Sequence, residues 1–261
     1  MSEEPVRVER RAGVAIVTID RPERMNALSW ATVGRLGEIG QELSGDPSVR
    51  LCVLTGAGEK AFCAGADLKE RQGMSRAQVR EMLSAYRTDL GWLARSEFVT
   101  VAAINGAALG GGLELALTCD LRCAVANATL GLPETGLGII PGAGGTQRIA
   151  RLLGEARALD LVLTGRRIDT TEALALGLVN RVIPESESLL EGTLAWLKPI
   201  AEGAPIAQRA ALLAVRAART LPLEQGLDYE RELYERCLES EDRDEALRAV
   251  AEKRKPRFSG K

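Results

Sequence analysis

The sequence predicts an α/β core followed by an all-helical C-terminal region, on three observations. Short β-branched runs alternate with amphipathic segments through about residue 183, the pattern of strands joined by crossover helices. Glycine-rich loops stand where strands give way to helices, at Ala64-Gly65-Ala66-Asp67, Leu109-Gly110-Gly111-Gly112 and Pro141-Gly142-Ala143-Gly144-Gly145. From Glu185 onward only helical periodicity remains, broken at Pro199, Pro205 and Pro222. The predicted division is therefore a core over 1–185 and a helical region over 186–261 that is too short to stand alone. No internal sequence repeat or low-complexity linker interrupts the chain.

Each element follows from local chemistry. Val6 and Val8 alternate with charges, Arg11–Gly13 supplies a turn, and Val14–Ile19 is strongly strand-like, so the chain opens on a hairpin. Ser29 is placed to cap an amphipathic helix that ends at the Ser44-Gly45-Asp46-Pro47 break. Leu51–Thr55 is a short buried strand, followed by the loop GAGEKAFCAGADL. Ser75 and Gln78 form a capping box for a helix running to about Ser96. Val99–Ile104 is the next strand, a glycine-opened helix follows, and Leu121–Ala126 and Val179–Ile183 are the remaining clear strands.

Composition narrows the chemistry. With 46% hydrophobic and 27% charged residues, the chain has an ordinary globular make-up. A net charge of −2 gives no basic footprint for nucleic acid. The acidic start MSEEPVRVER lacks an apolar run, and no segment is long enough to span a bilayer, so the expected location is cytoplasmic, with no membrane partner. Five scattered cysteines fit reduced thiols better than a disulfide framework. The chain has no histidine, which removes Ser-His-Asp and Cys-His catalysis as commonly built and the commonest zinc ligand. CysxxxCys at 119–123 has no second pair, so no metal site is expected. Proton transfer is left to carboxylates, Lys, Tyr, Cys or backbone dipoles.

Two carboxylates stand out. Glu114 sits among Leu113, Leu115, Ala116 and Leu117, where an ionised group is costly unless paired or put to use. Glu134 lies in LGLPETGLGIIPGAGG, also among apolar and small residues. A helix out and a strand back would return the chain from one to the other, and two such glutamates could be held in different protonation states. From spacing alone, two unrelated glutamates are as compatible with the sequence as a working pair. Each glycine loop is likewise open to three roles: phosphate cradle, oxyanion hole or tight turn. None carries the GK[ST] of a P-loop or a GxGxxG after a first strand.

FCAGADLKE at 62–70, NGAALGGGLELALTCDLR at 105–122 and PETGLGIIPGAGGTQR at 133–148 resemble the signature segments of the enoyl-CoA hydratase/isomerase (crotonase) family. RPERMNAL at 21–28 and the EKRKPRF ending at 252–258 are similar as well, so the likeness spans nearly the whole chain. Within the family, FCAGADLKER and the LGGGLELAL run resemble methylglutaconyl-CoA hydratases. The resemblance implies a spiral of ββα turns with a helical C-terminal trimerisation region, and a homotrimer or a dimer of trimers. It implies hydration of a 2-enoyl-CoA, with the N–H groups of Ala66 and Gly111 as oxyanion hole and Glu114 and Glu134 as catalytic carboxylates. Ala27, Leu28, Ala64, Asp67, Leu68, Gly110, Pro133, Leu137, Gly142 and Phe258 would line the acyl-CoA path. No cofactor beyond the substrate's own coenzyme A is expected.

Three rival readings accompany this one. A Δ3-Δ2 isomerase needs only one base, and both carboxylates are present here. RNA binding needs a lysine-rich face, and the helix after Ser29 offers only Arg35. A silent CoA-binding scaffold would have no chemical need for either glutamate. Cys63 is read as packing rather than as a nucleophile. The basic tail of Lys253, Arg254, Lys255 and Arg257 is either a solvated helix end or an approach to the CoA phosphates.

Overall fold

A computed structural model describes residues 4–261, so the first three residues of the acidic start lie outside the described residues. The opening hairpin pairs β1 (Val6–Arg11) with β2 (Val14–Ile19) in antiparallel register, Val6 opposite Ile19. A 3-10 turn (Pro22–Arg24) leads to α1 (Trp30–Ser44), capped by Ser29 Oγ accepting the Thr32 N–H at 3.2 Å. Next come β3 (Leu51–Gly56), β4 (Ala61–Cys63), α2 (Leu68–Gln72), α3 (Arg76–Asp89) and α4 (Trp92–Arg95). They are followed by β5 (Val99–Ile104), β6 (Ala107–Leu109), α5 (Gly111–Thr118), β7 (Leu121–Val125) and β8 (Thr129–Gly131). A second 3-10 turn (Pro133–Leu137) precedes α6 (Gly145–Leu153), α7 (Glu155–Thr164), β9 (Arg167–Asp169), α8 (Thr170–Ala175) and β10 (Arg181–Ile183).

Two sheets run side by side along the chain. The larger has six strands in the order β1-β2-β3-β5-β7-β10, and the smaller has four in the order β4-β6-β8-β9. The chain therefore lays a long strand in one sheet, a short strand in the other, and then a helix, and repeats this at β3–β4, β5–β6 and β7–β8. Parallel pairing of β5 with β7 and of β6 with β8 carries the repeat forward. This is the spiral of ββα turns that the family resemblance implied, built without any sequence repeat.

The capping box at Ser75 forms, but its helix stops at Asp89 and resumes as α4, so the single helix expected to Ser96 is broken. A Cβ at Gly91 would meet the Arg87 carbonyl at 2.5 Å, and the small residue lets the chain turn there. The loop 56–68 holds β4, which like β6, β8 and β9 carries no strand pattern of its own in the sequence. Each is three residues long and gains its pairing only from strands distant in sequence.

Packing divides the chain into two units, one comprising residues up to Ser96 with Thr100–Ala195, the other Glu97–Val99 with Trp196–Lys261. The division falls inside α9 (Leu189–Ala201), whose first half is held to the core by Thr193 Oγ1 at 3.0 Å from Cys123 Sγ. Pro199 lies within that helix rather than ending it, whereas Pro205 opens α10 (Pro205–Ala217) and Pro222 caps α11 (Leu223–Leu238). In the second unit, α12 (Glu241–Ala251) carries Asp242, which is buried and accepts the Ser259 and Gly260 N–H groups at 2.6 and 3.0 Å. The basic tail is thereby folded back onto α12, and Arg254 is ion-paired with Glu245 at 2.6 Å. Among the described residues no helix is long and apolar enough to cross a membrane. All five cysteines are free thiols.

Candidate active site

The site grows from two backbone segments pressed together. Gly65 takes φ +95°, and a Cβ there would lie 2.8 Å from the Leu109 carbonyl and 3.1 Å from the Gly111 nitrogen. Only glycine admits that approach together with that dihedral. An isolated bridge joins Leu28 to Ala66: Leu28 N–H donates to Gly65 O (2.8 Å) and Asp67 N–H to Leu28 O (3.1 Å). This pairing leaves the Ala66 N–H outside the bridge. Gly111 is the first residue of α5, so its N–H has no acceptor within the helix. A Cβ on Gly111 would stand 3.6 Å from the Ala66 nitrogen, which puts these two segments in register at one point. Two N–H groups and the positive end of a helix can stabilise negative charge on a ligand oxygen there.

The glutamates meet at the same helix end. Glu114 is 3% exposed, and its Oε1 accepts N–H groups from Ala143 (2.8 Å) and Gly145 (2.6 Å). Glu134, on the second 3-10 turn, reaches back so that its Oε1 would be 2.9 Å from a Cβ on Gly110. Its Oε2 is buried without a protein partner among the described residues. Burial raises both carboxyls, but their surroundings differ. For Glu114 the rise is opposed by the Gly145, Ala143 and Gly142 N–H groups and by the positive charge of Arg148. Glu134 has only its own N–H in opposition, and the nearby Glu114 charge adds to burial, pushing it up to about 7. The pair can hold one ionised and one protonated carboxyl near neutral pH.

The remaining predicted residues fall into place unevenly. Ala27 and Leu28 are buried on the bridge strand, with Leu28 Cδ1 3.7 Å from where a Gly111 Cβ would be. Leu68 and Leu137 are exposed, Ala64 and Pro133 half-buried, and Gly142 lies at the surface of the loop that holds Glu114. Asp67 is already employed: it caps α2 through the Lys69 and Glu70 N–H groups and pairs with Arg21 at 2.9 Å. Phe258 belongs to the second unit, on the tail held by Asp242. Cys63 is fully buried, its thiol pushed up to about 12 by that burial, and its sulfur accepts the Gly65 N–H at 3.4 Å. It is a packing residue beneath the glycine loop, not an activated nucleophile.

Sequence reading overlooked Arg148 and the N–H groups of Ala143 and Gly145. Arg148 donates to the Ala143 carbonyl at 2.8 Å and so braces the loop that binds Glu114. All three lie within the third signature segment, PETGLGIIPGAGGTQR, but only folding turns them toward α5. Among the described residues no cluster of three or more His, Cys, Asp or Glu could hold a metal ion.

Comparison with known proteins bears on this geometry. The family model described as enoyl-CoA hydratase/isomerase matches residues 9–261. The short-chain-enoyl-CoA hydratase of Clostridium acetobutylicum is 40% identical over 248 residues, covering 95% of each chain. The enoyl-CoA isomerase/hydratase fer4 of Mycosarcoma maydis is 44% identical over 267 residues, covering 99% of this chain and 97% of that one. The crystal structure of an enoyl-CoA hydratase from Bacillus anthracis superposes with a TM-score of 0.96 at 44% identity, covering 98% of this chain and 100% of that one.

Proposed function

The chain belongs to the enoyl-CoA hydratase/isomerase family, and on that premise we propose that it adds water across the 2,3 double bond of a 2-enoyl-CoA to give a 3-hydroxyacyl-CoA. The observation that carries this reading is the meeting of two differently held carboxyls beside two free-facing N–H groups. The thioester oxygen takes the N–H groups of Ala66 and Gly111. Each such donor is worth about 3–4 kcal/mol as enolate charge develops. Glu114, kept closer to ionisation by its loop N–H partners and Arg148, holds and deprotonates the water that attacks C3. Glu134, raised to about 7, delivers the proton to C2. The chemistry is complete with these groups and draws on no cofactor beyond the substrate's own CoA. The acyl-CoA path proposed runs by Ala27, Leu28, Ala64, Gly110 and Pro133. Methylglutaconyl-CoA is one specific substrate to include in testing.

The test is hydration of crotonyl-CoA, followed by loss of the enoyl-thioester absorbance, for wild type, Glu114→Gln and Glu134→Gln. A loss of orders of magnitude in both variants supports the two-carboxylate hydratase. Retained activity in Glu114→Gln, or migration of a 3-enoyl double bond without hydration, would replace it with an isomerase. A homo-oligomer, trimer or paired trimers, is also proposed. Val215, Leu223, Tyr234 and Val250 on the helices of the second unit are each more than 60% exposed, and subunit contact would cover such side chains. Light scattering on a sizing column reads it directly.

A further inference from the structure

Helix α3 turns one face inward, with Val79, Met82, Leu83, Tyr86 and Leu90 at helical spacing. Leu83 reaches the site loop, its Cδ2 lying 2.6 Å from where a Cβ on Gly142 would stand. One turn along the same face, Tyr86 is 5% exposed, and its hydroxyl is buried without a hydrogen-bond partner among the described residues. Phenylalanine would fill that space with no polar atom to satisfy, and buried polar groups are almost always paired. The charged and ionisable groups acting on this hydroxyl are Arg71 and Glu70 of α2, Cys63 of β4 and Glu114 of α5, Arg71 more strongly than Glu114. Burial keeps the phenol protonated, and so a donor. Of the neighbours, the Glu70 carboxylate already accepts the Trp30 N–H at 3.1 Å, and Cys63 serves the Gly65 N–H. Arg71 is half-buried at the end of α2.

We propose that Tyr86 is a specificity-determining residue: its hydroxyl donates to an oxygen carried by the acyl group beyond the reacting carbons, so the enzyme selects oxygen-bearing enoyl-CoA thioesters over hydrocarbon ones. Arg71 strengthens that selection when the oxygen belongs to a carboxylate. The oxyanion donors and the two glutamates already serve the thioester oxygen, the water and the C2 proton, which leaves Tyr86 for the part of the substrate that differs between thioesters. A hydrogen-bond donor built into a pocket rejects an analogue that cannot accept, because the donor is then left unpaired.

The inference rests on the hydration reading for its kinetic assay, and a binding assay separates the two. kcat/KM is measured for hex-2-enoyl-CoA, 5-hydroxypent-2-enoyl-CoA and glutaconyl-CoA with wild type, Tyr86→Phe and Arg71→Met. Wild type should favour at least one oxygen-bearing thioester over hex-2-enoyl-CoA by about tenfold, the worth of one good hydrogen bond. Tyr86→Phe should collapse that ratio for both oxygen-bearing substrates, and Arg71→Met for glutaconyl-CoA alone. A wild-type preference for hex-2-enoyl-CoA over both, or a ratio unmoved by Tyr86→Phe, overturns the proposal. The wild-type ratio decides even if a variant fails to fold. If no enoyl-CoA is hydrated, the reaction assignment fails. The same ratio is then read from the calorimetric Kd of hexanoyl-CoA and glutaryl-CoA, where a preference for hexanoyl-CoA overturns the role of Tyr86.

Discussion

Replacing Glu134 by glutamine should make the protein more stable at alkaline pH and leave it little changed at acid pH. The Glu134 carboxyl is 8% exposed, one of its oxygens has no protein partner among the described residues, and burial beside Glu114 moves it from 4.5 to about 7. Its folded value lies above its unfolded one, so the fold favours the protonated form. That contribution is fully present below about 4.5 and is lost as pH rises through about 7. Each pH unit between the two values is about 1.4 kcal/mol, so the interval corresponds to roughly 3 kcal/mol, an upper figure once relaxation is allowed for. Glutamine keeps the shape and never ionises. Denaturant unfolding of both proteins at fixed protomer concentration, from pH 5 to 9, should show the variant gaining about 2–3 kcal/mol relative to wild type, mostly between pH 5 and 8. A difference that stays constant across this range would refute the claim that Glu134 ionises at a cost in the fold. The same substitution should abolish hydration, so stability and catalysis would move in opposite directions at one residue.

Three further outcomes follow from the geometry. In Arg148→Met, loss of the positive charge and of the brace on Ala143 O should raise Glu114, moving the acid limb of kcat to higher pH and lowering kcat more at pH 6 than at pH 8. Arg148→Lys should recover part of this, and an unmoved pH profile would count against the role. Gly112→Ala drives a Cβ into the Cys63 carbonyl, backbone that cannot step aside, and should cost about 3 kcal/mol or more in thermal or denaturant unfolding. Asp242→Ala leaves the Ser259 and Gly260 N–H groups without their acceptor, which costs about 1–3 kcal/mol and should expose the Arg257–Phe258 bond to faster tryptic cleavage.

Local chemistry was sufficient for much of the architecture. The hairpin Val6–Ile19, the Ser29 cap, the Ser75–Gln78 capping box and the long buried strands follow from hydrophobic period and cap chemistry, and the structure contains them all. Each encodes its conformation within a few residues. Glu114 was conspicuous for the same reason, a charge inside an apolar helical run, and the family signatures were legible as strings. The three-residue strands β4, β6, β8 and β9 were not, because their backbone partners lie tens of residues away and their own sequences, such as Ala107-Ala108-Leu109, state no preference.

The sequence by itself determined the α/β class, the absence of histidine chemistry and which two carboxylates would have to be explained. Only the tertiary structure decided what those groups meet. The close approach of Gly65 to Gly111, the Ala143 and Gly145 N–H groups on Glu114, and the approach of Leu83 from α3 to Gly142 are contacts between segments distant in sequence. A carboxyl's protonation depends on burial and on neighbouring dipoles, and both are properties of the folded surroundings rather than of the residue.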